Sequence, residues 1–231
     1  MNVLAVADCH NKLLFSHLIK HIGLAEELTD DSFEAVFFLG DNSINDIECI
    51  QDYLREKGAN VPCYGIPGNH DSESILKKCD IKDIHLKTAT LQSFRICGFG
   101  GSLKYKDESG YMMFTNEESL SLLANFPACD IFITHSNPQF YEYEEVKKPS
   151  PIPTSFFGKF KDKFFSQPPE FETVRKPLKE NAHSGLIGIG DYIDRCKPSY
   201  CFHGHIHQRS FEIRGNTKIE CCYGVQTLII N

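Results

Sequence analysis

The sequence contains no apolar run long enough to cross a bilayer and none that resembles a signal peptide. Its longest apolar run near the N-terminus covers residues 3–7, Asp8 ends it, and no basic segment precedes it. A membrane-spanning helix needs about 20 apolar residues, and the core of a signal peptide needs about 7–15. We therefore expect a cytoplasmic protein that does not engage a membrane.

Positively charged residues are also fewer than negatively charged ones. The 231 residues include 24 Lys and Arg against 31 Asp and Glu, which gives a net charge of −7, and the sequence pI is about 5.8. A protein that binds nucleic acid over a broad surface normally carries a basic excess. Nucleic acid is therefore not favoured as a partner, although a metal site could still attract a phosphate locally.

Paired cysteines are missing as well. The chain has ten cysteines, but no two of them form a CxxC pair of the kind that zinc modules use. Several lie in apolar runs such as residues 94–99 and 199–203. We interpret them as reduced thiols that act as small core residues.

The first third of the chain alternates apolar runs with helical patterns. Residues 2–7, 34–39 and 62–66 are predicted strands, and the helical patterns at 11–28 and 45–58 separate them. A β-α-β-α-β order predicts a parallel sheet with helices packed on it, and hence an α/β fold.

The rest of the chain is more mixed, and its length of 231 residues suits one large domain. Two strands are predicted within 84–101, and "TNEE" at 115–118 is a capping box that begins a helix. The remaining predicted elements are a strand at 130–135, a helix at 185–196, a strand at 199–203 and a closing hairpin at about 209–230.

A proline-rich segment interrupts this pattern. Seven of the eleven prolines lie between Pro138 and Pro177, so residues 138–182 are predicted to be an insertion of loop or lid in a single domain spanning 1–231. Five phenylalanines and three lysines at 155–165 fit a lid that packs on the body. A base-stacking surface or a homodimer contact are the alternatives.

Asp, Asn and His residues follow five of the predicted strands. The carboxyl ends of strands in an open α/β sheet form the ligand crevice, so these side chains should meet at one edge. Carboxylate, amide and imidazole ligands suit Mn, Fe or Zn. The residues are Asp8 and His10, Asp41 and Asn42, Asn69 to Asp71, His135, and His205 and His207.

The ordered series "ADCH", "LGDN", "PGNHD", "THSNP" and "HGHIH" resembles the calcineurin-like metallophosphoesterase superfamily. The resemblance implies a four-layer α/β/β/α sandwich with two mixed sheets and two divalent ions at the carboxyl ends of strands. It also implies seven metal ligands: Asp8, His10 and His207 for one ion, Asn69, His135 and His205 for the other, and Asp41 between both.

The same resemblance assigns further roles. His70 would protonate the leaving group, and Asp71 would orient the His70 side chain. Cys9 stands where Ser, Thr or a small residue is usual. The motifs "THSNP", "HSG" and "KPSYCFHGHIHQ" are similar to a small phosphodiesterase branch, from which Asn137 and Gln208 depart. Asn42 and His183 are candidate substrate contacts, His183 because it precedes a predicted helix N-terminus.

One further motif is misleading. "GDYIDRC" at 190–196 resembles a metal-binding signature of protein phosphatases, but it follows "GNHD" by about 120 residues instead of preceding it. Its apolar residues have helical spacing, and Asp41 already fills the bridging position. We interpret it as an ordinary helix.

These observations predict a dinuclear phosphodiesterase for a small phosphoester substrate, with a nucleotide as one candidate. Two divalent ions outweigh two carboxylates, can generate a bridging hydroxide near neutral pH, and hold the attacking and leaving oxygens in line. A leaving alkoxide needs a proton, which His70 could supply. The alternatives are a nuclease acting on DNA or RNA ends and a non-catalytic scaffold with the same fold.

Overall fold

The computed structural model describes residues 1–10, 33–105, 111–147, 171–176, 181 and 183–231. The chain divides into two compact units, one made of residues 1–139 with 180–231 and the other of residues 140–179. The helix predicted at 11–28 and the phenylalanine cluster at 155–165 lie outside the described residues.

The described residues contain fifteen strands and four helices. The strands are β1 Asn2–Ala7, β2 Ala35–Phe38, β3 Cys63–Gly65, β4 Lys82–Asp83, β5 Thr88–Leu91, β6 Phe94–Phe99, β7 Ser102–Leu103, β8 Met113–Phe114, β9 Ile131–Thr134, β10 Tyr143–Lys147, β11 Phe171–Arg175, β12 Tyr200–His203, β13 Ser210–Arg214, β14 Thr217–Cys221 and β15 Gly224–Ile229. The helices are α1 Ile44–Glu56, α2 Ile75–Lys78, α3 Asn116–Leu123 and α4 Ile187–Cys196.

Two mixed sheets form the larger unit. The first has the order β15-β1-β2-β3-β4 and the second the order β13-β14-β12-β9-β6-β5. In the first sheet, β1 to β4 are parallel and β15 pairs antiparallel with β1. In the second, the four inner strands are parallel and the two outer strands are antiparallel to their neighbours.

The two sheets share one core, and helices cover their outer faces. Because side chains alternate along a strand, Val3 and Ala5 of β1 pack into the core shared with Ile131, whereas Leu4 packs with Ile47 of α1. On the outer face of the second sheet, the ring centroids of Phe132 and Tyr192 of α4 lie 4.3 Å apart. The predicted α/β fold in four layers with two mixed sheets is confirmed.

The helices begin and end much as the sequence indicates. The predicted capping box is present at α3, where the Thr115 side chain accepts from the Glu118 N–H and the Glu118 side chain accepts in return. The misleading motif "GDYIDRC" lies within α4. Among the described residues, no helix is both long and apolar enough to cross a membrane.

Two predicted elements differ from the structure. The closing segment is three strands, of which β13 and β14 form a hairpin while β15 joins the other sheet beside β1. A period of two predicts strands without indicating which sheet receives them. Strands β10 and β11 also pair antiparallel within the predicted loop, because the prolines of that segment lie outside both strands.

Candidate metal centre

The predicted ligands lie on the turns that follow β1, β2, β3, β9 and β12. Asp8 and His135 come directly after β1 and β9, and Asp41 follows β2 by three residues. Three of these strands belong to the first sheet and two to the second. Side chains from both sheets therefore meet where the strands end.

The first group of side chains is Asp8, His10 and His207, whose ligand atoms all lie within 4.8 Å of one another. The Nε2 atoms of His10 and His207 are 3.2 Å apart, and Nε2 of His207 is 3.8 Å from Oδ1 of Asp8. Oδ1 of Asp8 is buried and has no hydrogen-bond partner among the described residues. A buried carboxylate oxygen without a donor is costly, and a cation would satisfy it.

The second group is Asp41, His135 and His205, all of them buried, with ligand atoms again within 4.8 Å of one another. Nε2 of His135 lies 3.4 Å from Oδ2 of Asp41 and 3.1 Å from Oδ1 of Asn69. Nδ1 of His135 donates to the Leu39 carbonyl over 2.8 Å. This hydrogen bond turns Nε2 toward the group, as is usual for a metal-binding histidine.

Asp41 faces both groups. Its Oδ2 atom lies 3.9 Å from Nε2 of His10 in the first group and 3.4 Å from Nε2 of His135 in the second. Its Oδ1 atom accepts from the His70 N–H over 2.8 Å. The carboxylate thus has the position that a ligand shared by two ions needs. The donor set of carboxylates, imidazoles and one amide fits divalent Mn, Fe or Zn.

The backbone at these residues is strained. Asp8, His10, Asp41, His205 and His207 have φ values of 54°, 48°, 54°, 73° and 52°. A residue other than glycine in this left-handed region costs of the order of 1 kcal/mol or more, and such residues cluster at functional sites. The strain lets the chain reverse sharply at a strand end while the side chain stays directed into the site.

A glycine allows the two loops that surround Asp41 to touch. A Cβ atom at Gly68 would lie 2.0 Å from Oδ1 of Asp41, which is far inside contact distance. Gly68 also donates its N–H to Oδ2 of Asp71 over 2.8 Å. A side chain at this position would push the Asp41 carboxylate out of place.

Burial and mutual charge interactions shift the pKa values of Asp8, Asp41 and His135. Burial raises the pKa of Asp8 to about 7. Burial alone would raise the pKa of Asp41, but the hydrogen bond and charge of His135 outweigh it and lower this pKa. Burial disfavours the charged His135, yet the Asp41 hydrogen bond and charge raise its pKa to about 9. A bound cation would take the place of the His135 proton.

His70 and Asp71 lie beside the ligand groups, next to Asp41 and His10. His70 is exposed, and its ring centroid is 5.6 Å from that of His10. The Asp71 carboxylate accepts from the backbone N–H groups of Asp41 and Gly68, over 2.9 and 2.8 Å. Asp71 therefore holds the two loops together, and its predicted effect on the orientation of His70 stays a prediction.

The two candidate substrate contacts have different surroundings. The buried Asn42 amide donates to the carbonyls of Val6 and Gly40 and accepts from the Cys9 N–H, so it ties the first two loops together. His183 is exposed, and its ring centroid lies 5.5 Å from that of His205. Contact of either residue with a substrate stays a prediction.

Sequence reasoning missed one residue at this site. Tyr223, in the turn between β14 and β15, stacks on His207 with ring centroids 5.6 Å apart. Only the aromatic character of "CCYGV" could have signalled it, and that signal is weak because Tyr223 is 16 residues beyond the last ligand.

Comparison with known proteins agrees with the site. A family model described as calcineurin-like phosphoesterase matches residues 1–209. The chain therefore belongs to the calcineurin-like phosphoesterase family, a class of metal-binding phosphoester hydrolases. The predicted resemblance is confirmed.

Solved structures resemble the chain at low sequence identity. TT1561 of Thermus thermophilus is 13% identical with a TM-score of 0.53, and the match covers 96% of this chain and 89% of that one. Phosphopantetheinyl hydrolase (PptH) from Mycobacterium tuberculosis is 11% identical with a TM-score of 0.48, over 96% and 89% of the two chains. No curated protein matches the chain.

Proposed function

We propose that this chain is a dinuclear metal-dependent phosphodiesterase that hydrolyses a small phosphodiester. The observation that carries the proposal is the pair of adjacent ligand groups with the Asp41 carboxylate facing both. Membership of a phosphoester hydrolase family supplies the reaction class. The dinuclear centre and the preference for a diester go beyond that class.

Each ligand group would hold one divalent ion. Asp8, His10 and His207 form the first site, and His135 and His205 with Asn69 form the second, with Asp41 shared. The bound ions would supply Lewis-acid activation of water and of the phosphoryl oxygens. Because the imidazoles bind as neutral ligands, two carboxylates leave the loaded site positive, and it attracts a phosphate despite the acidic chain.

His70 is the residue proposed to protonate the leaving oxygen. Its side chain is exposed beside the ligand groups, while its backbone N–H is held by Oδ1 of Asp41. The imidazole can therefore reach a substrate without giving up a structural contact of its backbone. Histidine is the side chain that most often transfers protons in general acid–base catalysis.

A substrate screen with Mn-loaded protein tests the proposal. We expect turnover of bis-p-nitrophenyl phosphate to exceed that of p-nitrophenyl phosphate, and cyclic nucleotides to be cleaved in preference to DNA. Activity on the monoester alone would remove the diesterase assignment, and efficient DNA cleavage would favour the nuclease. Failure to hydrolyse any phosphoester would favour a scaffold. The cytoplasmic location and the homodimer stay predictions from the sequence.

A further inference from the structure

Tyr223 presents an aromatic ring next to the first ligand group. Its ring lies nearly parallel to that of His207, with an interplanar angle of 20° and centroids 5.6 Å apart. The residue is 36% exposed, so part of the ring faces solvent. None of the chemistry proposed above uses it.

The backbone of Tyr223 is held firmly. Arg209 donates through Nε to the Tyr223 carbonyl over 3.1 Å and through Nη2 to the Val225 carbonyl over 2.7 Å. The turn is also short, because β14 ends at Cys221 and β15 begins at Gly224. These two strands belong to different sheets, so the turn is anchored on both sides. The backbone that carries the ring is therefore positioned before any ligand arrives.

From this geometry we propose that Tyr223 is a stacking platform for a planar ring carried by the substrate. The inference rests on the proposed function and narrows its substrate class to phosphoesters of nucleosides or aryl alcohols. A phosphate at the ligand groups would leave its organic part near their exposed side, where His207 and Tyr223 lie. Tyrosine provides a large, rigid contact at low entropic cost, and every nucleobase has a face that can stack on it.

A competing explanation is that Tyr223 only supports His207. The two explanations differ in what they predict for Tyr223→Ala. A supporting ring would be needed to hold the metal ligand, so its removal would lower the Mn content. If Tyr223 is a platform, Tyr223→Ala should leave the Mn content and the affinity for inorganic phosphate unchanged. The variant should lose the preference for a ligand that carries a ring.

Calorimetry on the Mn-loaded full chain separates these cases. The ligands are adenosine monophosphate, ribose 5-phosphate, which lacks the base, and inorganic phosphate. We expect adenosine monophosphate to bind at least about fivefold more tightly than ribose 5-phosphate. The preference should disappear in Tyr223→Ala and Tyr223→Leu and persist in Tyr223→Phe. As a control, Phe211→Ala removes an aromatic residue of β13 that is 58% exposed. This change should leave the preference for adenosine monophosphate unaltered.

Three results would overturn the platform and leave the proposed function standing. The first is an equal, measurable affinity of the wild type for adenosine monophosphate and ribose 5-phosphate. The second is a preference for adenosine monophosphate that survives in Tyr223→Ala. The third is a loss of Mn in Tyr223→Ala but not in Tyr223→Phe. Absence of binding by all three ligands would overturn the proposed function and the platform with it.

Discussion

Asp41 is the residue whose carboxylate faces both ligand groups. Its carboxylate lies within 3.9 Å of a histidine from each group, so Asp41→Asn should lower the affinity for both ions. We expect the Mn content to fall from about two ions per chain to below one, with turnover of bis-p-nitrophenyl phosphate falling in parallel. Metal analysis after dialysis against buffered Mn provides the measurement.

The motif "GDYIDRC" supplies a matched control for this change. Asp191 lies on α4, is exposed, and pairs with Arg195 over 3.8 Å. Asp191→Asn should leave both the Mn content and turnover at the wild-type level, since an exposed pair contributes little. An Asp41→Asn protein with full Mn content would remove the shared-ligand role.

His70 should be separable from the ligands. Its ring lies beside the groups and its side chain is exposed, so His70→Asn should retain both ions. Turnover of a diester with a poor leaving group should fall by about 10²–10⁴-fold, because the departing alkoxide then lacks a proton donor. The loss should shrink for a p-nitrophenyl leaving group. Equal losses for the two substrates would exclude the role as an acid.

His85 is a structural histidine, and we expect it to make the fold sensitive to acid. Burial lowers its pKa from 6.5 to about 4, with smaller opposing effects of Asp83, which raises it, and Lys87, which lowers it. Its Nδ1 atom accepts from the Gly100 N–H over 2.9 Å, and its ring stacks on Phe114. Protonation would break the hydrogen bond.

The direction of the pH effect on stability follows from how many protons the unfolded and folded chains bind at His85. Between about pH 6.5 and pH 4 the unfolded chain binds a proton at His85 that the folded chain does not, so stability falls as the pH falls. We expect a loss of about 1–2 kcal/mol across this window, allowing for partial exposure. His85→Asn keeps an acceptor but cannot be protonated, so its urea denaturation should depend less on pH. Identical pH profiles for variant and wild type would contradict this.

At the scale of elements, the unit formed by residues 140–179 contains a pair of strands within the predicted insertion. Its strands β10 and β11 pair with each other, and within it the Arg175 guanidinium lies 3.5 Å above the Tyr141 ring. In the sequence it begins five residues after His135 and ends four before His183. We predict that this segment, part of the lid expected at 138–182, selects small substrates.

Replacing residues 140–179 with a short Gly/Ser linker tests that prediction. The core of the larger unit is made by residues outside this segment, so the Mn content and the thermal midpoint should change little. Turnover of bis-p-nitrophenyl phosphate should persist, while the discrimination between nucleotides and oligonucleotides should weaken. An unchanged substrate profile would count against a role in specificity.

The sequence indicated which side chains come together better than it indicated how the strands that carry them pair. The ligand series could be read because each residue follows a short apolar run, and strand ends converge in an α/β sheet. The position of β15 could not be read, since its pairing with β1 depends on contacts more than 200 residues apart. Tyr223 was missed because the pairing of β14 with β12 and β13 brings its turn beside His207, and the sequence does not specify that pairing.

At the scale of the whole molecule, the candidate metal centre joins the two sheets. Its ligands come from β1, β2 and β3 on one side and from β9 and β12 on the other. Ions bound there would connect the sheets in addition to the shared core. Metal should therefore stabilise the entire fold and not only the loops.

Thermal unfolding with and without metal tests this coupling. Saturating Mn should raise the midpoint of the chelator-treated protein by at least about 5 °C, because a ligand at 100 times its Kd contributes about 2.7 kcal/mol. The shift should be much smaller in Asp41→Asn. A midpoint that does not respond to Mn would show that the ions, if bound, do not couple the two sheets.

The pairing of β1 with β15 also has a consequence for protein synthesis. β1 carries Asp8 at its end, and it lies between β2 and β15 in the first sheet. A ribosome adding about 5–20 residues per second needs about 10–40 s to proceed from β1 to β15. Throughout that interval β1 lacks its β15 neighbour, so the first sheet is complete only when the last strand of this sequence has been translated.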